Sequence, residues 1–100
     1  MKRGKKTNVT IRFFGAFRNI TGKNKVTIQF KDTIRLKEAI KEIVEGMPRL
    51  ERTLVDPALE DPRANTLILV NGKEISVLNG LETMLKDGDE IVFIPVLHTG

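Results

Sequence analysis

One hundred residues suffice for one small domain, which buries roughly 60–65% of its unfolded surface. There is no cysteine, which excludes disulfides, thiolate metal sites and iron–sulfur clusters. No apolar run approaches the ~20 residues of a bilayer-spanning helix, and no partnership with a membrane is expected. The net charge is +4, yet four of the seventeen basic residues are Lys2, Arg3, Lys5 and Lys6, and the rest of the chain carries thirteen charges of each sign. The excess belongs to residues 1–7, expected to be a disordered basic tail, either solvated or touching RNA phosphates. No apolar segment follows it, so it does not read as a secretory signal, and a cytoplasmic location is expected.

The domain itself is expected over residues 8–96. Asn8 to Phe14 alternates, with Val9, Ile11 and Phe13 on one side, Thr10 and Arg12 on the other, and Phe14 as an exception. That is a half-buried strand. Gly15 to Asn24 reads as a glycine-containing loop above Phe17 and Ile20. Lys25 to Phe30 alternates again, which predicts an antiparallel hairpin. The period then changes. Leu36, Ala39, Ile40, Ile43, Val44 and Met47 form one helical stripe. Thr33 or Asp32 is placed to cap it, Gly46 to end it and Pro48 to prevent continuation, giving a helix over residues 34–45.

Arg49 to Asn65 contains Pro57 and Pro62 and reads as a crossover loop with one helical turn. Thr66 to Val70 is apolar on both faces and is followed by Asn71-Gly72, a strong turn signal. Lys73 to Val77 is expected to be a short edge strand. Leu78 to Leu85 drops Leu81 and Leu85 into the core. After the Asp87-Gly88 turn, the last strand starts near Glu90 and is again apolar on both faces, as a central strand is. The predicted fold is α+β: a β-grasp, with a mixed sheet of about five strands round one main helix and the first and last strands parallel neighbours.

A folded body that ends on a buried strand and then projects a flexible tail, residues 97–100, offers the α-carboxylate of Gly100 as a reactive group. Glycine leaves that carboxylate unhindered, and at neutral pH it is ionised. His98 is the only histidine. With no cysteine and no partner motif it points to a tail residue rather than a metal ligand, and no metal is expected. Asp87, Asp89 and Glu90 read as turn residues at a strand start. No phosphate-binding glycine loop is present, so no cofactor is expected to be bound, and ATP must come with a partner. The doubly apolar strands leave one apolar patch on the sheet face away from the helix. Its expected members are Ile68, Val70, Val92, Ile94 and Val96, with the alternate residues exchanging places if the register is reversed.

The residues 13–22, Phe-Phe-Gly-Ala-Phe-Arg-Asn-Ile-Thr-Gly, the residues 70–75, Val-Asn-Gly-Lys-Glu-Ile, and Leu85-Lys86-Asp87-Gly88-Asp89-Glu90-Ile91 followed by Pro95-Val96 resemble the ubiquitin-like sulfur carriers. The first set is similar to the small subunit of molybdopterin synthase. The ending Leu97-His98-Thr99-Gly100 is similar to that of the ubiquitin-related modifier. The resemblance covers roughly Val9 to Gly100. It implies a protein co-substrate, not an enzyme. An E1-like enzyme, supplying ATP and Mg, adenylates the Gly100 carboxylate, and a persulfide converts it to a thiocarboxylate. The sulfur then passes to molybdopterin, with the synthase large subunit as partner, to the thiamine thiazole, or to tRNA through a thiolation enzyme; alternatively the activated end is conjugated to lysines of target proteins. The family usually ends in two glycines, and here β-branched Thr99 stands in the penultimate place. A monomer is expected for the free chain. The alternatives are a β-grasp binding module that is never activated, and an RNA-binding domain using the basic arm.

Overall fold

The computed structural model describes residues 6–96. Strand β1 (Thr7–Phe13) turns Thr7, Val9, Ile11 and Phe13 inward and pairs antiparallel with β2 (Lys25–Phe30). Thr7 is buried in this ladder opposite Phe30, so it belongs to the domain and not to the basic tail. The connection between the two strands is not the expected loop. Gly15–Thr21 forms a short helix, α1, whose one buried residue is Phe17. Ile20 packs against the edge of the core.

The main helix, α2 (Leu36–Val44), lies inside the expected span. Neither Asp32 nor Thr33 caps it. The Asp32 carboxylate instead accepts a bond from the Thr33 N–H at 2.8 Å. A two-residue strand, β3 (Ile34–Arg35), leads directly into the helix and pairs with β6 (Met84–Leu85) in a separate small ladder. The chain just before β6 does the capping: the Leu36 N–H donates to the Thr83 carbonyl at 2.8 Å, which satisfies a first-turn amide without a side chain. Leu36, Ala39, Ile40, Ile43 and Val44 are buried as the stripe predicts, whereas Met47 is exposed. Gly46 comes next with φ +80°. Pro48 then opens another helix, α3 (Pro48–Leu54), which buries Leu50 and Leu54. Proline at a helix start loses no intrahelical bond, so the residue that stops α2 also begins α3. A helix thus replaces the single turn expected here. The buried Thr66 hydroxyl donates to the Leu54 carbonyl at 2.8 Å and ties the end of α3 to the next strand.

β4 (Thr66–Val70) turns at Asn71-Gly72, both with positive φ, into β5 (Lys73–Glu74). The remainder of the expected edge strand, Ile75–Val77, is a 3-10 turn. The last strand, β7 (Glu90–Pro95), lies between β1 and β4, parallel to the first and antiparallel to the second. The sheet order is β2-β1-β7-β4-β5. The inner sheet residues and the α2 stripe form one core, with the Phe13 and Phe93 rings stacked at 6.2 Å and Ile40, Ile43 and Leu85 all buried. This is the β-grasp. Among the described residues no helix is long and apolar enough to cross a membrane.

Candidate functional site

The end of β7 is where the chain leaves the sheet, and its neighbours fix how it leaves. On one side the Phe14 N–H donates to the Phe93 carbonyl at 3.2 Å. On the other, Pro95 stands opposite Thr66, and the Val96 N–H donates to the Asn65 carbonyl at 2.9 Å. The chain is therefore held on the β1 side as far as Phe93 and on the β4 side as far as Val96. Leu97, His98, Thr99 and Gly100, the expected tail and reactive end, lie outside the described residues, as do residues 1–5 of the basic arm.

Beside this exit is the outer face of the sheet. In the antiparallel register Leu67 opposes Ile94 and Leu69 opposes Val92, while Ile68 opposes Phe93 and Val70 opposes Ile91. Opposed residues share a face. Ile68 and Val70 consequently point into the core, 1% and 4% exposed, and the expectation that they belong to a partner-binding patch is corrected. Val92 and Ile94 do face outward, with Leu67 and Leu69 as their companions. The two expected sets neither hold nor exchange; they divide, one strand in each phase. Val92 is nearly buried although it lies outside the core cluster, because Arg12 and Leu69 flank it in the ladder. Leu67, Phe14 and Val96 are exposed and extend the apolar surface toward the exit. The patch has a charged border where Arg12 Nε meets a Glu90 carboxylate oxygen at 2.7 Å.

Phe14, Leu67 and Leu69 are the residues that sequence reasoning missed. For Phe14 the signal was present: it breaks the alternation of β1 with a large apolar residue on the polar side. For Leu67 and Leu69 no local signal exists, since only the pairing register sets their phase relative to β7.

The Asp-Gly-Asp turn sits at the opposite end of β7 and is fully engaged in structure. Asp87 Oδ1 accepts from the Asn8 backbone N–H at 2.7 Å and from its side-chain amide at 3.1 Å. Asp89 accepts from the Lys86 N–H at 2.7 Å and from the Asn71 side chain at 2.9 Å. The Glu90 N–H donates to Asn71 Oδ1 at 2.9 Å, and the Gly88 N–H to the Asn8 carbonyl at 2.8 Å. These bonds pin the starts of β1 and β7 to the β4–β5 turn. Among the described residues, no group of three or more acidic or histidine side chains is placed to hold a metal ion.

Two carboxylates elsewhere are tuned by local bonds. The Arg63 side chain forks onto Asp61 and holds its carboxyl below the ordinary value. The Ser76 side chain and its backbone N–H, the latter donating at 2.6 Å, hold the Glu74 carboxyl below its ordinary value. Arg63 and Glu74 line a small cleft of about 140 Å³ that also includes Leu67 and Val96, next to the exit.

Comparison with known proteins is consistent with this geometry. The small archaeal modifier protein 3 of Haloferax volcanii is 30% identical over 87 residues, covering 86% of this chain and 92% of that protein. The solution structure of small archaeal modifier protein 1 from Methanosarcina acetivorans superposes with a TM-score of 0.81 at 25% identity, covering 97% of this chain and all of that one. Urm1 from Trypanosoma brucei, 23% identical, shares the fold with a TM-score of 0.73 over 97% of this chain and 99% of its own. The ThiS family model matches residues 11–98, from the middle of β1 past the end of β7. The chain belongs to the ThiS family, within the superfamily of ubiquitin-like sulfur carriers and modifiers.

Proposed function

We propose that the protein is a co-substrate whose Gly100 carboxylate is activated by an E1-like adenylating enzyme that brings its own ATP and Mg. The observation that carries this reading is the exit of β7: the central strand delivers the chain out of the sheet beside an apolar outer face. The outer face, chiefly Ile94, Leu67 and Val96 around the buried Val92, docks the body on the partner, since contiguous exposed apolar surface marks interaction sites. The remaining residues, Leu97, His98, Thr99 and Gly100, reach the partner's active site. The carboxylate oxygen attacks the α-phosphorus of ATP and displaces pyrophosphate, giving an acyl-adenylate. A persulfide sulfur then attacks the acyl carbon and displaces AMP, and a thiol cleaves the resulting S–S bond to leave a thiocarboxylate. The sulfur goes to molybdopterin on a synthase large subunit, to the thiamine thiazole, or to tRNA through a thiolation enzyme. A lysine amine attacking the same adenylate would give an isopeptide instead.

The test is intact-mass spectrometry after incubation with ATP, the activating enzyme and a sulfur donor. Replacing one oxygen of the terminal carboxylate by sulfur adds about 16 Da to the protein. An unchanged mass, with no adenylate-dependent conjugate, would leave the chain as a binding module.

A further inference from the structure

Gly15 is the first residue of α1, with φ +54°. Any side chain there meets the strain of the left-handed region. The same is true of Gly22, just beyond the other end of the helix, with φ +72°. Their surroundings differ. A Cβ on Gly22 would meet nothing within 4 Å, whereas a Cβ on Gly15 would lie 3.1 Å from Pro95 Cγ and 3.4 Å from Pro95 Cδ. Of the described glycines with positive φ, Gly15 alone has such a neighbour. The proline ring is closed onto its own backbone nitrogen, so it can yield only by changing its pucker or by moving the backbone at the end of β7. That backbone is already held from the far side by Thr66 and by the Val96 bond to Asn65.

We infer that Gly15 is a positioning residue for the working end of the chain: its bare Cα seats the Pro95 ring and so sets the direction in which the chain leaves β7. The inference rests on the reading that Gly100 is the working group. From Val96 the end lies four residues away, a reach of at most ~14 Å. With the body docked by its outer face, the direction of exit sets where so short an arm begins and therefore which positions its end can reach. A misplacement of ~1 Å in a positioned reaction costs about 10²-fold.

The experiment compares Gly15→Ala, Gly22→Ala and the double variant Gly15→Ala/Pro95→Ala. The readouts are pyrophosphate release with the activating enzyme and exchange protection of the Val96 amide. Gly15→Ala should lower kcat at least ~10-fold while KM for the carrier stays within about twofold. It should also weaken Val96 protection. Gly22→Ala carries the same kind of backbone strain and should lose thermal stability while keeping both kcat and Val96 protection. Removing the proline ring should bring kcat of the double variant back to within about threefold of the parent, the coupling expected of residues in contact. The assignment is overturned if Gly15→Ala leaves Val96 protection intact, if Gly22→Ala loses as much kcat, or if the double variant is not rescued. A parent chain that releases no pyrophosphate refutes the adenylation reading instead, and the Val96 amide still decides whether Gly15 sets the exit.

Discussion

The two ends of β7 are built from opposite materials. At its start, Asn8, Asn71, Asp87 and Asp89 weave side-chain bonds across three chain segments. At its finish, Phe14, Pro95 and Val96 offer apolar surface, and the bonds are backbone to backbone. Polar networks are directional and fix register, whereas apolar surface is non-directional and adapts to a partner. One end of the strand fixes register, and the other leaves the sheet beside apolar surface. The Asp87-Gly88-Asp89 turn therefore serves the fold rather than the exposed apolar surface at the exit.

The contrast can be broken most directly at the exit. Deleting Gly100 should reduce adenylation by at least ~10²-fold, because the carboxylate moves back by one residue and onto a β-branched threonine. Thr99→Gly should preserve or raise the rate. Pyrophosphate release at equal protein concentration measures both, and full activity of the deletion would mean that another group does the work.

A smaller effect separates the faces of the sheet. Ile94→Asp should weaken association with the activating enzyme ~10-fold or more, since an unpaired carboxylate would be desolvated in the contact. It should leave the far-ultraviolet circular dichroism unchanged. Ile68→Asp, one face away, should unfold the protein. Calorimetric titration beside thermal melts distinguishes them, and equal behaviour of the two variants would overturn the assigned faces.

The polar end predicts the reverse pattern. Asp87→Ala removes two bonds to Asn8 and should destabilise the fold by about 1–2 kcal/mol, read from chemical denaturation. Its kcat for adenylation should remain that of the parent once folded protein is compared with folded protein. A loss of kcat without loss of stability would move the turn from scaffold to site.

The smallest effect is pH-dependent. The Asp61 carboxyl is held below its ordinary value by Arg63, so ionisation favours the folded state. That stabilisation is present above the unfolded value near pH ~3.9 and disappears as pH falls through the lower folded value. The melting temperatures of the parent and of Asp61→Asn should therefore differ near neutrality and converge in acid. A constant difference across that range would show that the pair is electrostatically idle.

These contrasts also show what a sequence records. Strands β1 and β2 and helix α2 were legible because each presents one face to a single core, which imposes a period. Helix α1 was not, because one buried residue, Phe17, makes no stripe. Helix α3 was hidden by Pro48, which reads as a stop for α2 and is equally a start for α3. The ladder of β3 with β6 has two residues per strand, too few to alternate. The outer face was half legible: Val92 and Ile94 were placed correctly, while Ile68 and Val70 were assigned to the wrong side. Strands apolar on both faces carry no phase of their own, and the hydrogen-bond register that supplies it joins residues far apart in the chain.

The place of β7 in the sheet has a consequence for biosynthesis. It is the last of the five strands to be made and the middle one in space. Until it inserts, β1 and β4 each have an unpaired edge, and unpaired edges invite association with other chains. Pairing β1 with β7 also closes a loop of most of the chain, a contact that slows folding. A nascent chain interrupted before residue 90 thus has two half-sheets and no shared core. Under the proposed function, the strand that presents the chain to a partner is also the one that completes the body, so the body that docks exists only after β7 has inserted.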